Sequence, residues 1–142
     1  MARKKRTKIV NASKCSYKGI QFQSKLELFA YKSLKKDKLK VDYEKHTFTI
    51  LKGATYSQEC YEGTKVKLYN KGNKIRPITY TPDFVDPDGK WIMETKGHAN
   101  ESFPLRWKLF KNYLINTNSK ATLFLPRNRK QVTEAVEIIK TL

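Results

Sequence analysis

The chain has 142 residues, the usual size of one domain, and 30 lysines and arginines against 13 aspartates and glutamates, a net charge of +17. A surface this basic favours a nucleic-acid partner over an anionic membrane. Its apolar runs are all far shorter than the roughly 18–20 residues that span a bilayer, so we expect no membrane partner.

The chain begins with a basic segment, MARKKRTK, in which five of eight residues are basic. We predict a disordered arm over residues 1–14 and a single domain over residues 15–142. Such an arm can be a solvated tail or can contact phosphates directly, and both interpretations stay open. Cys15 and Cys60 lack CxxC spacing, so we expect neither a zinc site nor a disulfide, and we predict a cytoplasmic protein.

A first helix is predicted to begin at Ser24, after an extended segment from Tyr17 to Phe22. Ser24 and Glu27 fit a capping box, in which each side chain binds a backbone N–H group of the other. On a helical projection Glu27 falls on the side of Ala30 and Leu34, which should face the core. Glu27 is therefore either a cap or a group directed into a site, and the two roles are compatible.

The middle of the chain is predicted to be mostly β-structure. Val41 to Leu51 alternates in a manner typical of a strand, and the polar residues 52–63 are interpreted as a loop or an irregular insertion. Val66 to Tyr69 and Lys74 to Tyr80 are predicted to form a hairpin that turns at residues 70–73.

A second predicted hairpin, TYTPDFVDPDGKWIMETKG at residues 79–97, carries two acids and a lysine. If residues 86–89 form the loop, Asp83 lies opposite Ile92 and shares a face with Glu94 and Lys96. An odd loop length would reverse the facing of Asp83 unless a bulge restored it. The neighbouring residues are apolar, and a charge in a buried strand is costly unless it is paired or bound to a ligand.

This acidic pair and lysine suit phosphodiester hydrolysis. We predict that Asp83, Glu94 and the backbone carbonyl of Thr95 hold Mg²⁺, which polarises the phosphate and lowers the pKa of a bound water. Lys96 would orient or deprotonate that water, or neutralise the developing charge. The simpler alternative is a solvent-facing ion pair on an acidic hairpin.

Two more helices and a strand are predicted in the last third. Ser102 should cap a helix with Pro104 in its first turn, Ala121 to Leu125 should be a strand, and Asn128 should cap the last helix. The apolar stripe of the first of these helices is predicted to be Leu105, Leu109, Phe110, Tyr113 and Leu114. That of the last helix is predicted to be Val132, Ala135, Val136 and Ile139. The order of elements predicts an α/β fold on a mixed, mainly antiparallel sheet.

Five basic residues are predicted to bind nucleic acid: Arg106, Lys108, Arg127, Arg129 and Lys130. The last three lie near the start of the final helix, where unpaired N–H groups already favour anions. Contacts of this kind position a backbone without reading its sequence.

Pro82-Asp83 followed by Glu94-Thr95-Lys96 resembles the PD-(D/E)xK nuclease signature, and Glu27 matches the helical acid ahead of it. The blocks SKLELFAYKSL, IRPITYTPDF, ETKG and FPLRWKLFKNY resemble, in the same order, the small phage nucleases related to phage endonuclease I, the Holliday-junction resolvases. The likeness covers roughly residues 17–125. Residues 52–71 are longer and more polar than that family leads us to expect.

The resemblance implies a restriction-endonuclease-like core with helices on both faces of the sheet. It implies that Glu27, Asp83, Glu94 and Lys96 are catalytic, that Glu27 is a further metal ligand and that Lys108 contacts the scissile phosphate. Mg²⁺ would be the cofactor, Mn²⁺ a plausible substitute, and no small-molecule cofactor is expected. The implied substrate is branched DNA, the implied assembly a homodimer, and the implied location the cytoplasm of a phage host.

Two other functions stay open. A non-catalytic basic protein that keeps the fold would bind nucleic acid tightly and with strong salt dependence, but would not cut it. The charge does not distinguish these from a ribonuclease or an RNA-binding role.

Overall fold

The computed structural model describes residues 13–142, so residues 1–12 of the predicted basic arm lie outside the described residues. The described part contains three helices: α1 (Lys25–Lys36), α2 (Phe103–Asn116) and α3 (Arg129–Ile139). It contains twelve short strands: β1 (Cys15–Tyr17), β2 (Ile20–Phe22), β3 (Asp42–Tyr43), β4 (Phe48–Leu51), β5 (Ala54–Thr55), β6 (Tyr61–Gly63), β7 (Leu68–Asn70), β8 (Lys74–Ile75), β9 (Ile78–Tyr80), β10 (Phe84–Val85), β11 (Trp91–Met93) and β12 (Thr122–Phe124). Among these residues, no helix has the length and apolar character needed to cross a bilayer.

The largest sheet has four strands in the order β12-β11-β10-β3. β10 is antiparallel to both β11 and β3, whereas β12 is parallel to β11. A parallel neighbour needs a crossover connection, which α2 provides. The sheet is therefore mixed, and the predicted α/β class is confirmed.

Helices cover both faces of this sheet because its strands are apolar on both faces. Phe84, Trp91 and Met93 pack with α1 and α3 in one cluster, and Val85 and Ile92 pack with α2 in the other. Side-chain alternation along β10 and β11 separates the two sets.

The starts of the helices follow local capping signals. The Ser24 hydroxyl accepts the Glu27 N–H at 3.1 Å, and the Asn128 side chain accepts the Gln131 N–H at 2.9 Å, so both predicted caps are confirmed. The predicted core face of α3 is confirmed as well. Ser102 precedes α2 but makes no side-chain cap bond, and Asn100 Oδ1 accepts the N–H of the first helical residue instead.

The predicted apolar stripe of α2 is partly wrong. Leu105 is 61% exposed, and Leu109 and Tyr113 are only half-buried. The buried residues repeat at helical spacing: Phe103, Trp107, Phe110 and Leu114. These aromatic rings lie on Val85 and Ile92 of the sheet, so the larger side chains decide which face is buried.

The prediction for residues 41–80 is wrong in its pairing. The predicted strand from Val41 to Leu51 is interrupted at residues 44–47, and residues 52–63 contain two strands rather than a loop. β4 pairs with β9, β5 with β8 and β6 with β7, so one long irregular hairpin replaces the short one. Its turn lies at residues 64–67, where the Thr64 hydroxyl accepts the N–H groups of Val66 and Lys67 at 3.2 Å each.

Local turn chemistry explains the error at residues 70–73. Gly72 has φ +84° and donates its N–H to Asn70 Oδ1 at 3.1 Å, so the segment does contain a turn-like conformation. This turn-like conformation interrupts the returning strand of the long hairpin between β7 and β8 but does not reverse the direction of the chain.

Candidate metal and active site

The register of β10 and β11 places the two acids of the signature opposite each other. Phe84 pairs with Met93 and Val85 with Ile92, which continues to Asp83 opposite Glu94 rather than opposite Ile92 as predicted. The loop is displaced by one residue, to residues 87–90, and keeps four residues. Because the register shift is even, the predicted facing of Asp83 toward the side of Glu94 holds.

Asp83 is buried and firmly held. Its Oδ2 accepts the Thr95 backbone N–H at 2.8 Å and the Thr95 hydroxyl at 2.7 Å. Burial, followed by the charges of Glu94 and Glu27, raises the pKa of Asp83 well above its usual range, although the two bonds from Thr95 oppose the shift. Without a cation, the site therefore favours a protonated carboxyl.

The Thr95 N–H points toward Asp83, whereas the N–H groups of Glu94 and Lys96 donate to the strand on the other side. In an extended strand the C=O of a residue points to the same side as its N–H. The Thr95 carbonyl is thus directed toward the Asp83 side, and its role as a metal ligand stays a prediction.

Glu94 and Lys96 form a pair beside Asp83, as the alternation of β11 predicted. Lys96 Nζ lies 3.2 Å from Glu94 Oε1, and Glu94 Oε2 accepts the Asp83 N–H at 3.2 Å. Burial raises the pKa of Glu94, and the Lys96 charge opposes that shift. The Lys96 side chain is 29% exposed, so its ammonium group stays accessible while Glu94 fixes its position.

Glu27 is both a helix cap and a member of the site. Its Oε1 accepts the Ser24 hydroxyl at 3.2 Å, and its Oε2 accepts the Gln23 N–H at 3.0 Å and the Tyr43 hydroxyl at 2.8 Å. One carboxylate oxygen of Glu27 lies within 4.8 Å of a carboxylate oxygen of Asp83. Glu27 thus accepts the Gln23 N–H instead of the Ser24 N–H expected of a capping box, and its carboxylate also lies at the acid cluster.

The structure adds an acid that the sequence interpretation missed. Carboxylate oxygens of Glu27, Glu44 and Asp83 all lie within 4.8 Å of one another. Glu44 follows β3 with φ +46°, a backbone conformation uncommon for a non-glycine residue. Desolvation, followed by the charge of Glu27, raises the pKa of Glu44. Only the pairing of β3 with β10 brings Glu44 to the site, and no local signal in the sequence indicated that pairing.

These residues line an open cleft of about 350 Å³. It contains four carboxylates, Glu27, Glu44, Asp83 and Glu94, and two cations, Lys96 and Arg106. The cleft is acidic although the chain as a whole carries +17. Clustered carboxylates repel one another unless protons or a cation compensate their charge.

Tyr80 lies in the wall of the same cleft. Its hydroxyl is buried and has no hydrogen-bond partner within the described residues. Burial and the nearby charge of Glu94 raise the pKa of Tyr80. A buried hydroxyl without a partner is unusual, and the Glu94 carboxylate beside it is the acceptor within the chain that could satisfy it.

The donor set fits a hard divalent cation. Carboxylate oxygens are the preferred ligands of Mg²⁺ and Mn²⁺. Asp83 and Glu44 have no lysine or arginine in an ion pair with them in the described part of the chain, so their charge is left to be balanced at the cleft.

The predicted nucleic-acid-binding residues fall into two groups. Arg106 lines the cleft and donates to the Thr79 carbonyl, whereas Lys108 is exposed on α2 and outside the cleft wall. At the start of α3, Arg127 Nη2 lies 3.5 Å from the Gly97 carbonyl and Arg129 covers the Phe29 ring at 5.1 Å. Arg127 is therefore next to the segment that follows Lys96. Lys130 is exposed.

Residues 6–125 match the family described as "Protein of unknown function (DUF1064)". The chain belongs to this family. The DUF1064 match includes every acid of the cleft together with Lys96, and it ends before α3. No curated protein and no solved structure matches the chain.

Proposed function

We propose that this DUF1064 protein is a metal-dependent DNA endonuclease with the restriction-endonuclease-like core of the PD-(D/E)xK nucleases. One observation carries the proposal: two buried carboxylates, Asp83 and Glu94, lie opposite each other on neighbouring strands, with Lys96 paired to Glu94 and Glu27 close to Asp83. A solvent-facing ion pair on an acidic hairpin does not account for this arrangement, because both acids are more than nine-tenths buried.

The acidic cleft supports a cation as part of the function. The negatively charged carboxylates would repel a phosphate, so a divalent cation is needed between the carboxylates and the phosphate. Glu27, Glu44 and Asp83 would hold Mg²⁺, with Mn²⁺ as a substitute. Glu94 lies outside this cluster of three and would join it, with the Thr95 carbonyl, as a further ligand. When bound, such a cation polarises the phosphate and lowers the pKa of a water molecule.

The protein's own residues would position the reactants. Glu94 keeps the Lys96 ammonium group at the cleft, where it can orient the attacking water or neutralise the phosphate. Arg106 in the cleft wall can contact a neighbouring phosphate of the same strand. Thr95 fixes the orientation of Asp83 through two hydrogen bonds.

The substrate is proposed to be branched DNA, cut by a homodimer in the cytoplasm. Support for branched DNA and for the dimer comes from the resemblance to junction-resolving nucleases, and support for DNA also comes from the charge of +17. Basic residues at the α3 N-terminus and on α2 would contact phosphates without reading bases, so selectivity would depend on the shape of the DNA.

The test is a cleavage assay on a four-way junction, a flap, a linear duplex and an RNA of the same sequence, with Mg²⁺, Mn²⁺ or EDTA. Asp83→Asn and Lys96→Met should each reduce cleavage by about 10²–10⁴-fold. Asp88→Asn and Lys90→Met make the same chemical changes at exposed positions in the hairpin loop and should cut normally.

The same assay distinguishes the alternative functions. Undiminished cutting by both site variants would reject the site. Tight, salt-sensitive binding without cleavage of any substrate would support the non-catalytic alternative. Cleavage of the RNA alone would make the protein a ribonuclease.

A further inference from the structure

Residues 51–77, which we call the ribbon, form the outer part of the long hairpin and pack against none of the helices closely enough to be buried. Within this described range no residue is buried, and only Cys60, Tyr69 and Asn73 are half-buried. Both faces of its strand pairs β5–β8 and β6–β7 are therefore open to solvent.

The ribbon contributes no buried residue to the hydrophobic core. An isolated two-stranded hairpin is at best marginally stable in water. Several large apolar residues of the ribbon are exposed: Tyr56 at 54%, Tyr61 at 56%, Val66 at 90% and Leu68 at 67%. Exposed apolar residues on a structure that stabilises nothing else favour a binding function.

The charge of the ribbon indicates the chemistry of its partner. Residues 51–77 contain six lysines and arginines and two glutamates, and the tip is Lys65-Val66-Lys67. Three tyrosines lie among these cations. Lysines contact phosphates, while exposed aromatic and apolar side chains contact sugars and bases, so the combination is complementary to nucleic acid.

The shape of the ribbon fits double-stranded DNA. The major groove, about 12 Å wide, admits a two-stranded β-ribbon. From Leu51 to Thr64 the ribbon extends at most about 43 Å at about 3.3 Å per residue, which exceeds one helical turn of B-DNA, about 34 Å. The ribbon can therefore follow or cross a groove.

The base of the ribbon lies at the acidic cleft. Thr79 and Tyr80 of β9 line the cleft, and the chain reaches Asp83 three residues later. A duplex whose phosphate lies at the carboxylates would thus lie next to the ribbon.

We infer that the ribbon is a DNA-binding arm that holds a groove of the duplex beside the cleavage site. This inference takes DNA as the partner from the proposed function, but it concerns binding and not hydrolysis. The arm supplies affinity through Lys65, Lys67 and Lys71, and its tip enters the groove.

The test measures binding without cutting. Fluorescence anisotropy of a labelled 30-bp duplex in EDTA would compare the unmodified protein with a ribbon variant, Lys65→Gln/Lys67→Gln/Lys71→Gln, across a range of salt concentrations. The matched control, Lys36→Gln/Lys38→Gln/Lys40→Gln, removes the same charge from exposed positions around the end of α1. We expect the ribbon variant to bind at least about tenfold more weakly, with a salt slope smaller by about two to three, since each lost phosphate contact lowers the slope by about 0.9.

Equal weakening by the ribbon variant and the control would overturn the inference, because only net charge would then matter. Sedimentation velocity without DNA tests whether a second copy of the chain binds the ribbon instead. If the unmodified protein is a dimer and the ribbon variant is a monomer, the ribbon is a contact between two copies. Ribbon-dependent binding with no cleavage of any substrate would reject the nuclease and keep the arm. Metal-dependent cleavage together with binding that does not depend on the ribbon would support the nuclease and reject the DNA-binding arm.

Discussion

Glu44 comes directly after β3, and its backbone N–H donates to the Asp83 carbonyl at 2.8 Å, just beyond the strand pair Tyr43–Phe84. The pairing of β10 with β11 places Glu94 opposite Asp83 on the other side. Three carboxylates therefore form a row at the ends of β3, β10 and β11, and carboxylate oxygens of Glu44 and Asp83 lie within 4.8 Å of each other. Like charges in such a row are unfavourable, so we expect Glu44 to take part in cation binding.

Glu44→Gln should weaken Mn²⁺ binding by about tenfold, because it removes one anionic ligand and retains the shape of the side chain. Isothermal titration calorimetry of the metal-free protein measures the change. Glu134→Gln, an exposed position on α3, is the control and should bind Mn²⁺ normally. An affinity unchanged by Glu44→Gln would show that Glu44 is not a ligand.

The metal-free protein should be stabilised by Asp83→Asn at neutral pH. Burial and the charges of Glu94 and Glu27 raise the pKa of Asp83 in the fold above its value of about 3.9 in the unfolded chain. A carboxyl with a raised pKa favours folding while it is protonated, and this contribution is lost as the pH rises through the folded-state pKa. Asparagine stays neutral at every pH, so the variant does not lose this contribution to stability.

Urea unfolding in EDTA between pH 4 and pH 8 tests this sign. The stability difference between Asp83→Asn and the unmodified protein should be greatest at the alkaline end and shrink toward pH 4. Asp88→Asn should show no such trend, since Asp88 is exposed. A difference that grows toward acid pH would contradict the assigned direction.

Thr95→Val should destabilise the protein by about 1–3 kcal/mol, because the buried Asp83 carboxyl group would lose the hydroxyl that donates to its Oδ2 at 2.7 Å. Thr95→Ser keeps the hydroxyl and should lose clearly less. The free energies of unfolding come from urea titration at pH 7. Equal losses in the two variants would attribute the effect to packing of the Thr95 methyl group.

Tyr80→Phe should leave the metal-free protein as stable as before or raise its stability, by up to about 1–3 kcal/mol, since it removes a buried hydroxyl that has no partner in the described part of the chain. Thermal and urea unfolding in EDTA measure the change. A loss above about 1 kcal/mol would show that the hydroxyl is hydrogen-bonded in solution, and Glu94 would be its nearest charged candidate.

The features that the sequence predicted correctly depend on hydrogen bonds between nearby residues or on the alternation of side chains along a strand. Ser24 with Glu27, and Asn128 with Gln131, cap helices through residues three positions apart, so no tertiary information was needed. The facing of Asp83 survived a wrong register, because an even shift leaves the alternation of side chains unchanged.

The features that were missed depend on contacts between distant residues. Glu44 reaches the site only through the pairing of β3 with β10, about forty residues apart in the chain. In the ribbon, β5 and β6 were missed, and β7 and β8 were assigned to a hairpin with each other, because both faces of these strands are exposed and no alternation of apolar and polar residues marks them. On α2, two apolar stripes compete, and the sheet selects the one that contains Trp107 and Phe110.

The long hairpin leaves and re-enters the body of the molecule at adjoining points, since Leu51 and Ile78 are paired neighbours. A tight two-residue turn can join strands at such a point, so we expect that the intervening segment can be shortened or replaced without rearranging the acidic cleft. Exchanging it for hairpins of other lengths would give a series of proteins that share one cleft and differ only in how far the hairpin extends from it.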